Sequence, residues 1–333
     1  MKFEVKALQK QKILRYVLKY TSTKKPNIMK KYVLVFPVLA SLFFGIQSCS
    51  SDSEDIRDTP VETVADTWQE HWYDHNQLVK NVYKDNSLAV YHDVDMLNIT
   101  WPNDHLKKVW DYSNATYGTL YGNSADKKLY AIFHADKYDG GHASYYYDGS
   151  HDFRNVIDVG LGKSSWSNGI GNTLDILTHE VGHIVESTSF GTRTSPAYNI
   201  WKDSKWAEIY IYDVYKNLGM TAEAQRWFNL MNANTDDFPR ANTHWFKDWF
   251  YPIYSNYGGN QVLSKFFKLM SQNFPKDANG KYTREMNWGE FIHFWSGASG
   301  TNLKTLATNA FGWTATMDAQ FNKAKTDFPA IVY

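Results

Sequence analysis

The chain has 333 residues, 43% of them hydrophobic and 17% aromatic, with 35 basic and 35 acidic side chains. That length suits one large domain or two small ones around a sizeable core. Ten basic residues and one acid fall in the first 48 positions, leaving 25 basic against 34 acidic groups in an acidic remainder, which excludes a broad basic face for nucleic acid.

Residues 1–48 read as a signal segment. An apolar run from Tyr32 to Ser48, too short for a bilayer span, follows Lys30 and Lys31, and Met29 is the expected true start. Cys49, the only cysteine, ends the run after Ile46-Gln47-Ser48. Its place resembles the lipid-accepting cysteine of bacterial lipoproteins, with Gln47 departing from the usual small residue. The resemblance implies a lipid anchor at Cys49 and an exported protein at the outer membrane or cell surface, or facing the periplasm. With Cys49 so used, no disulfide is left, and the domain relies on its core. Residues 49–63, rich in Ser, Asp and Glu, are expected to be a tether.

Residues 64–333 are expected to form one domain. Trp68, Trp72, Leu78, Val79 and Val82 recur at three- and four-residue steps, which predicts an amphipathic helix over 64–84. A second helix is expected from Asp104 to Tyr117. Three strands follow, at Lys128–Phe133, His142–Tyr147 and Asn155–Gly160, separated by Gly and Asp. Beyond Gly171 the period lengthens to about 3.6: Leu174, Leu177, Val181, Ile184 and Val185 form one apolar stripe. Further helices are read at about 201–217, 222–233, 241–256, 260–273, 285–296, 301–310 and 315–327. The expected fold is α+β, with a small mixed sheet in 64–170 and a mostly helical half in 171–333.

The helix at the junction carries His179-Glu180-Val181-Gly182-His183. Residues four apart differ by about 40° around a helix, so His179 and His183 can face one ion. Glu180, about 100° round from His179, sits beside that ion rather than on it. Zinc held by three protein donors keeps a position for water of lowered pKa, and Glu180 would be the general base that takes its proton. Two surface histidines on an ordinary helix are the plainer alternative.

A third donor is required. The histidine expected ten positions after the first in one large class is replaced by Ser189, and a Gly-Thr-x-Asp pattern beginning at Gly191 has Thr194 at its aspartate. Glu208, on the next helix, is the expected third ligand; Asp203, which also suits a helix N-cap, and Glu186, two turns along the same helix, compete with it. The segments Leu174–Glu186, Glu208–Tyr212 and Phe291–Gly300 resemble the gluzincin-type domains of secreted bacterial peptidases, enhancin-like mucin-targeting ones first and basic secretory proteins second. The likeness covers about residues 125–312, and only the histidine motif is specific. It implies a zincin-like fold, zinc on His179, His183 and Glu208, Glu180 as the catalytic group, and peptide or glycoprotein substrates.

Thermolysin-like members of that group carry a supporting aspartate that Ala207, Tyr212 and Asp213 do not reproduce here. Asp175, one turn before His179, is the candidate to orient a ligand ring. A donor to a developing oxyanion is sought in His244, with Tyr210, Tyr212 and Tyr254 as others. His71 and His75 form another pair at helical spacing, read as a solvated helix face. The runs Tyr145–Tyr147 and Trp245–Tyr251 offer rings that could stack on sugars, although core packing claims most aromatics. A glycan- or protein-binding lipoprotein on an inactive scaffold is the alternative to the enzyme.

Overall fold

The computed structural model describes residues 64–333; the signal segment, Met29, Cys49 and the acidic tether lie outside the described residues. Six strands form one mixed sheet: β1 (Thr67–Gln69), β2 (Leu78–Lys84), β3 (Leu88–His92), β4 (Leu129–Ala135), β5 (Gly140–Ser144) and β6 (Asn155–Leu161), in the order β1-β2-β3-β4-β6-β5. β3, β4 and β6 run parallel, while β1, β2 and β5 pair antiparallel. Every residue of the three parallel strands is buried, as expected of central strands covered on both faces. Helix α1 (Trp101–Tyr117) makes the crossover from β3 to β4.

The helix expected over 64–84 is instead β1, a turn and β2. Trp68 lies in β1 and Trp72 in the turn, and both reach the same side of the sheet because the chain folds back, not because it coils. β2 buries little beyond Val79, so its alternation is faint. His71 is exposed and His75 buried, which removes the solvated helix face expected for that pair.

Side-chain alternation divides the core into two layers. Ala131, Phe133, Ile157 and Val159 face α1 and α2 (Asn172–Thr188), meeting Leu106 and Trp110 from one and Leu177 and Val181 from the other. Tyr130, Ile132 and Val156 face the opposite way, beneath Trp68, Trp72 and Val79.

The second half is helical: α2, α3 (Tyr198–Trp201), α4 (Lys205–Asn217), α5 (Thr221–Asn232), a π-helical stretch Trp245–Phe250 running into α6 (Tyr251–Asn256), α7 (Asn260–Asn273), α8 (Trp288–Ser299), α9 (Lys304–Phe311) and α10 (Ala315–Asp327). α8 begins with a capping box in which Asn287 accepts from the Glu290 N–H and Glu290 accepts from the Asn287 N–H. The helix expected at 201–217 breaks at Lys202, whose φ of 54° ends α3. Asp213 ties α4 to α1, accepting hydrogen bonds from Tyr112 and Tyr117, each at 2.7 Å. Trp245, Phe246, Trp249 and Phe250 are all buried, so this run fills the core rather than offering rings to a glycan. The chain is thus α+β, and no helix of the described residues is long and apolar enough to cross a membrane.

Candidate functional site

α2 places His179 and His183 one turn apart with ring planes at 83° and their Nε2 atoms 3.0 Å from each other. Two ring nitrogens meeting at that distance share either one proton or one cation. Burial and its neighbour drive His179 down to about 3 and hold it neutral. For His183 burial also pulls down, but Glu186, Glu180 and Asp203 outweigh it and raise the ring to about 9. The surroundings therefore favour positive charge between the rings.

Glu180 is almost completely buried, and burial raises its carboxyl to about 8, the opposing pull of His183 being smaller. Its neighbour across the gap is the edge strand. Gly141 of β5 pairs with Val159 and shares its helix-facing side, and a Cβ there would stand 2.6 Å from Glu180 Oε1. Glycine at this position is what lets β5 lie against the carboxylate.

The third group brought to the histidines is Asp203. Its Oδ1 lies 3.6 Å from His183 Nε2, and the side chain is 52% exposed. His179, His183 and Asp203 each offer an atom within 4.8 Å of the others, a set that could hold a metal ion. The break at Lys202 explains the delivery: the chain reverses there and presents Asp203 in the turn before α4 starts. Glu186 supports the pair from the other side, with Oε2 3.5 Å from His183 Nδ1 and Oε1 accepting from Trp201 Nε1 at 2.5 Å. A buried carboxylate fixed by an indole and facing the far nitrogen of a ring orients that ring. Tyr198, 46% exposed on α3, stands in the field of Asp203 and Glu186, which with the larger effect of burial raises its hydroxyl.

Several expected site residues lie elsewhere. Glu208 joins no group of converging metal-ligating atoms among the described residues. One turn into α4, it points to the loop after α5, where Oε1 accepts from Asn234 Nδ2 at 3.0 Å, and burial raises it to about 8. The expectation of Glu208 beside the histidines is corrected to Asp203. Asp175 does not orient a ligand ring: its carboxylate is taken by Arg226 and by Tyr215 Oη at 2.9 Å. His244 hydrogen-bonds through Nδ1 to Asn234 O at 2.8 Å and belongs with Glu208, not with the histidine pair. Tyr210 is buried with its hydroxyl 2.6 Å from Ser113 Oγ. Tyr254 bonds Asn217, and Tyr212 sits among Phe228, Phe246 and Tyr251. None of these three faces the histidine pair. Tyr145, Tyr146 and Tyr147 are half-buried, and Tyr147 Oη reaches Ser187 O at 3.4 Å on α2.

A metal-binding measurement separates the two acids. Asp203→Ala is expected to weaken metal retention by more than the ~10–100-fold typical of losing an outer partner, whereas Glu208→Gln leaves it unchanged. Competitive titration with a chromophoric chelator reads both, and equal loss in the two variants would reverse this assignment.

No family model matches the chain, and no curated protein matches it. It is similar to the solved structure of a functionally unknown conserved protein from Bacillus anthracis str. Ames, at 16% identity and a TM-score of 0.48, over 75% of this chain and 51% of that one. A mutant of such a protein from the same organism matches at 14% identity and a TM-score of 0.43, with the same coverage. The chain thus spans about half the length of the solved structures it matches.

Proposed function

We propose that the chain is a zinc-dependent peptidase acting on extracellular proteins or glycoproteins. One observation carries the reading: the Glu180 carboxylate is buried between the His179–His183 pair and the backbone of edge strand β5 at Gly141. The donor set is His179, His183 and Asp203, which differs from the His-His-Glu set that the gluzincin resemblance implies. Zinc bound there would supply Lewis acidity and a water of lowered pKa.

The chain's own residues do the rest. β5 pairs on one side with β6 and forms the edge of the sheet, and an extended peptide can add to such an edge through main-chain hydrogen bonds. That would lay a scissile carbonyl across Glu180. Glu180, with a carboxyl held near neutrality, takes the proton of the attacking water and returns it to the leaving amine. Glu186 and Trp201 keep His183 in place. The half-exposed Tyr198 hydroxyl, which feels the charge of Asp203, is the donor we assign to the developing oxyanion. The lipid anchor expected at Cys49 would keep the domain outside the cell, where protein and glycoprotein substrates are met.

The experiment is removal and return of the metal. Chelator-treated protein is expected to lose cleavage of a mixed peptide and glycopeptide library, and stoichiometric zinc to restore it, with products read by mass spectrometry. Cleavage that persists after complete metal removal would refute the proposal. A fully zinc-loaded chain that binds the library without cutting it would favour a binding lipoprotein instead.

A further inference from the structure

The outer face of the sheet carries a second cluster, which the proposed hydrolytic site does not use. Alternation along β4 and β6 turns His134 and Asp158 away from the helices, to the side of Tyr130, Ile132 and Val156. The segment between β1 and β2 lays Glu70 and His75 over them. Exposure is 2% for Glu70, 6% for His75, 0% for His134 and 1% for Asp158.

The approaches are close: His134 Nε2 lies 2.8 Å from Glu70 Oε1 and 3.2 Å from Asp158 Oδ1. His75 Nδ1 lies 2.8 Å from Asp158 Oδ2 and 3.7 Å from Glu70 Oε1. Yet Glu70 Oε1, His75 Nδ1, His134 Nε2 and Asp158 Oδ1 are all buried without an aligned hydrogen bond. Short separation without alignment is what donors show when they converge on a common point. Four donors about 2.0–2.1 Å from a tetrahedral zinc are about 3.3 Å from one another, and the three separations among Glu70 Oε1, His75 Nδ1, His134 Nε2 and Asp158 Oδ1, 2.8, 3.2 and 3.7 Å, bracket that value.

Outer partners hold three of these side chains in that pose. His134 Nδ1 meets Asp93 Oδ2 at 3.3 Å, Glu70 Oε2 accepts from the Gln77 N–H at 2.9 Å, and Asp158 Oδ2 accepts from Trp72 Nε1 at 2.9 Å. The His75 ring is clamped by Tyr138, stacked at 3.6 Å and 13°. Gly160 allows this, because a Cβ there would stand 1.9 Å from the carbonyl oxygen of Tyr138. A ring nitrogen hydrogen-bonded to a carboxylate while its other nitrogen faces a shared centre is the usual outer arrangement of a metal-bound histidine.

We propose that Glu70, His75, His134 and Asp158 bind one divalent first-row transition-metal ion, with zinc the best fit, in a closed four-coordinate site. Two carboxylates and two neutral imidazoles balance the charge of a divalent ion, and Asp93 has its own cation in Lys137 at 3.5 Å. The neighbouring His142 and His151, with Nε2 atoms 3.0 Å apart, form with Asp158 another group of converging donor atoms that shares this carboxylate. Four protein donors leave no place for water, so the site is structural: it fastens the segment between β1 and β2 to the sheet.

The test separates this ion from the one at the histidine pair of α2. In the full chain purified with zinc, H179A/H183A is expected to retain about one metal ion per chain by elemental analysis, and adding H134Q, which leaves His142, His151 and Asp158 intact, to remove it. Chelation of H179A/H183A is expected to expose residues 70–77 to limited proteolysis. Less than about 0.2 ion per chain in folded H179A/H183A overturns the site. Should a variant not fold, wild-type crystals decide. An anomalous peak at the zinc edge among Glu70, His75, His134 and Asp158 supports the proposal, and its absence overturns it. Neither outcome depends on whether the chain hydrolyses anything.

Discussion

Glu180→Gln is expected to lower peptide hydrolysis by about 10²–10⁴-fold, the range for removing a general base, while metal content stays at the wild-type value. The split follows from position. Glu180 stands between the rings and β5 rather than among the converging ligand atoms, so an amide of the same shape leaves the ligands intact but cannot accept a proton. The substitution also replaces a buried carboxyl by a neutral group, which removes a desolvation cost. Thermal stability should therefore hold or rise. Loss of metal together with activity would mean that Glu180 is itself a ligand.

The largest effect on stability is expected at Asp213. Its Oδ2 accepts from both Tyr112 and Tyr117, and its Oδ1 accepts from Asn217 Nδ2 at 2.9 Å. Asp213→Ala leaves the Tyr112 and Tyr117 hydroxyls without this acceptor at a fully buried position, at about 1–3 kcal/mol each, so a total of about 2–6 kcal/mol is expected, whereas the exposed Asn217 keeps the Asp213 carbonyl and Tyr254 Oη as partners. For a domain of this size that is a fall of roughly 10 °C in Tm. The ionised form carries its own cost: burial raises Asp213 to about 6, from an ordinary 3.8. Between those values the folded state binds the proton and the unfolded state does not, so this group's contribution is most favourable at low pH. It is lost as pH rises through about 6. Asp213→Asn keeps the oxygen that serves both tyrosines and removes the titration. Comparing wild type with Asp213→Asn by denaturant unfolding, the wild type is expected to lose up to about 3 kcal/mol relative to the variant as pH rises from about 4 to 7. A pH-independent difference between them would show that Asp213 does not titrate in that window.

What was legible in the sequence was periodicity in long elements. α2 and the helices after it carry apolar stripes over several turns, and β4 and β6 are mainly apolar runs between turn residues, interrupted by His134 and Asp158. β1 and β2 leave a helical signature because Trp68 and Trp72 stand four apart, as on a helix face, while the chain turns between them. β3 is five residues long between Asn86-Ser87 and Asp93, too short for its period to show.

The site was legible where its residues share one helix. His179, Glu180 and His183 follow from helix geometry alone. Asp203 depends on the positive φ of Lys202, which no pattern in the chain marks, and a glutamate on the regular helix beyond it looked the better donor. Glu186 has the spacing of a competing ligand, yet its role as the partner of His183 Nδ1 needs Trp201 to turn the carboxylate. Gly141 carried no signal, since its importance lies in what a side chain there would strike. The cluster of Glu70, His75, His134 and Asp158 was hidden for the same reason as β1: its members come from three separate segments, joined only by the sheet.

The central claim is that water, activated beside His179, His183 and Asp203, breaks peptide bonds. Digestion of a peptide and glycopeptide library by the zinc-loaded chain in ¹⁸O-labelled water, with mass spectrometry of the products, tests it most directly. The account predicts new C-terminal carboxylates that each carry one solvent ¹⁸O, absent from the Glu180→Gln digest. A fully loaded chain that yields no new termini, or yields them equally with Glu180→Gln, would contradict it.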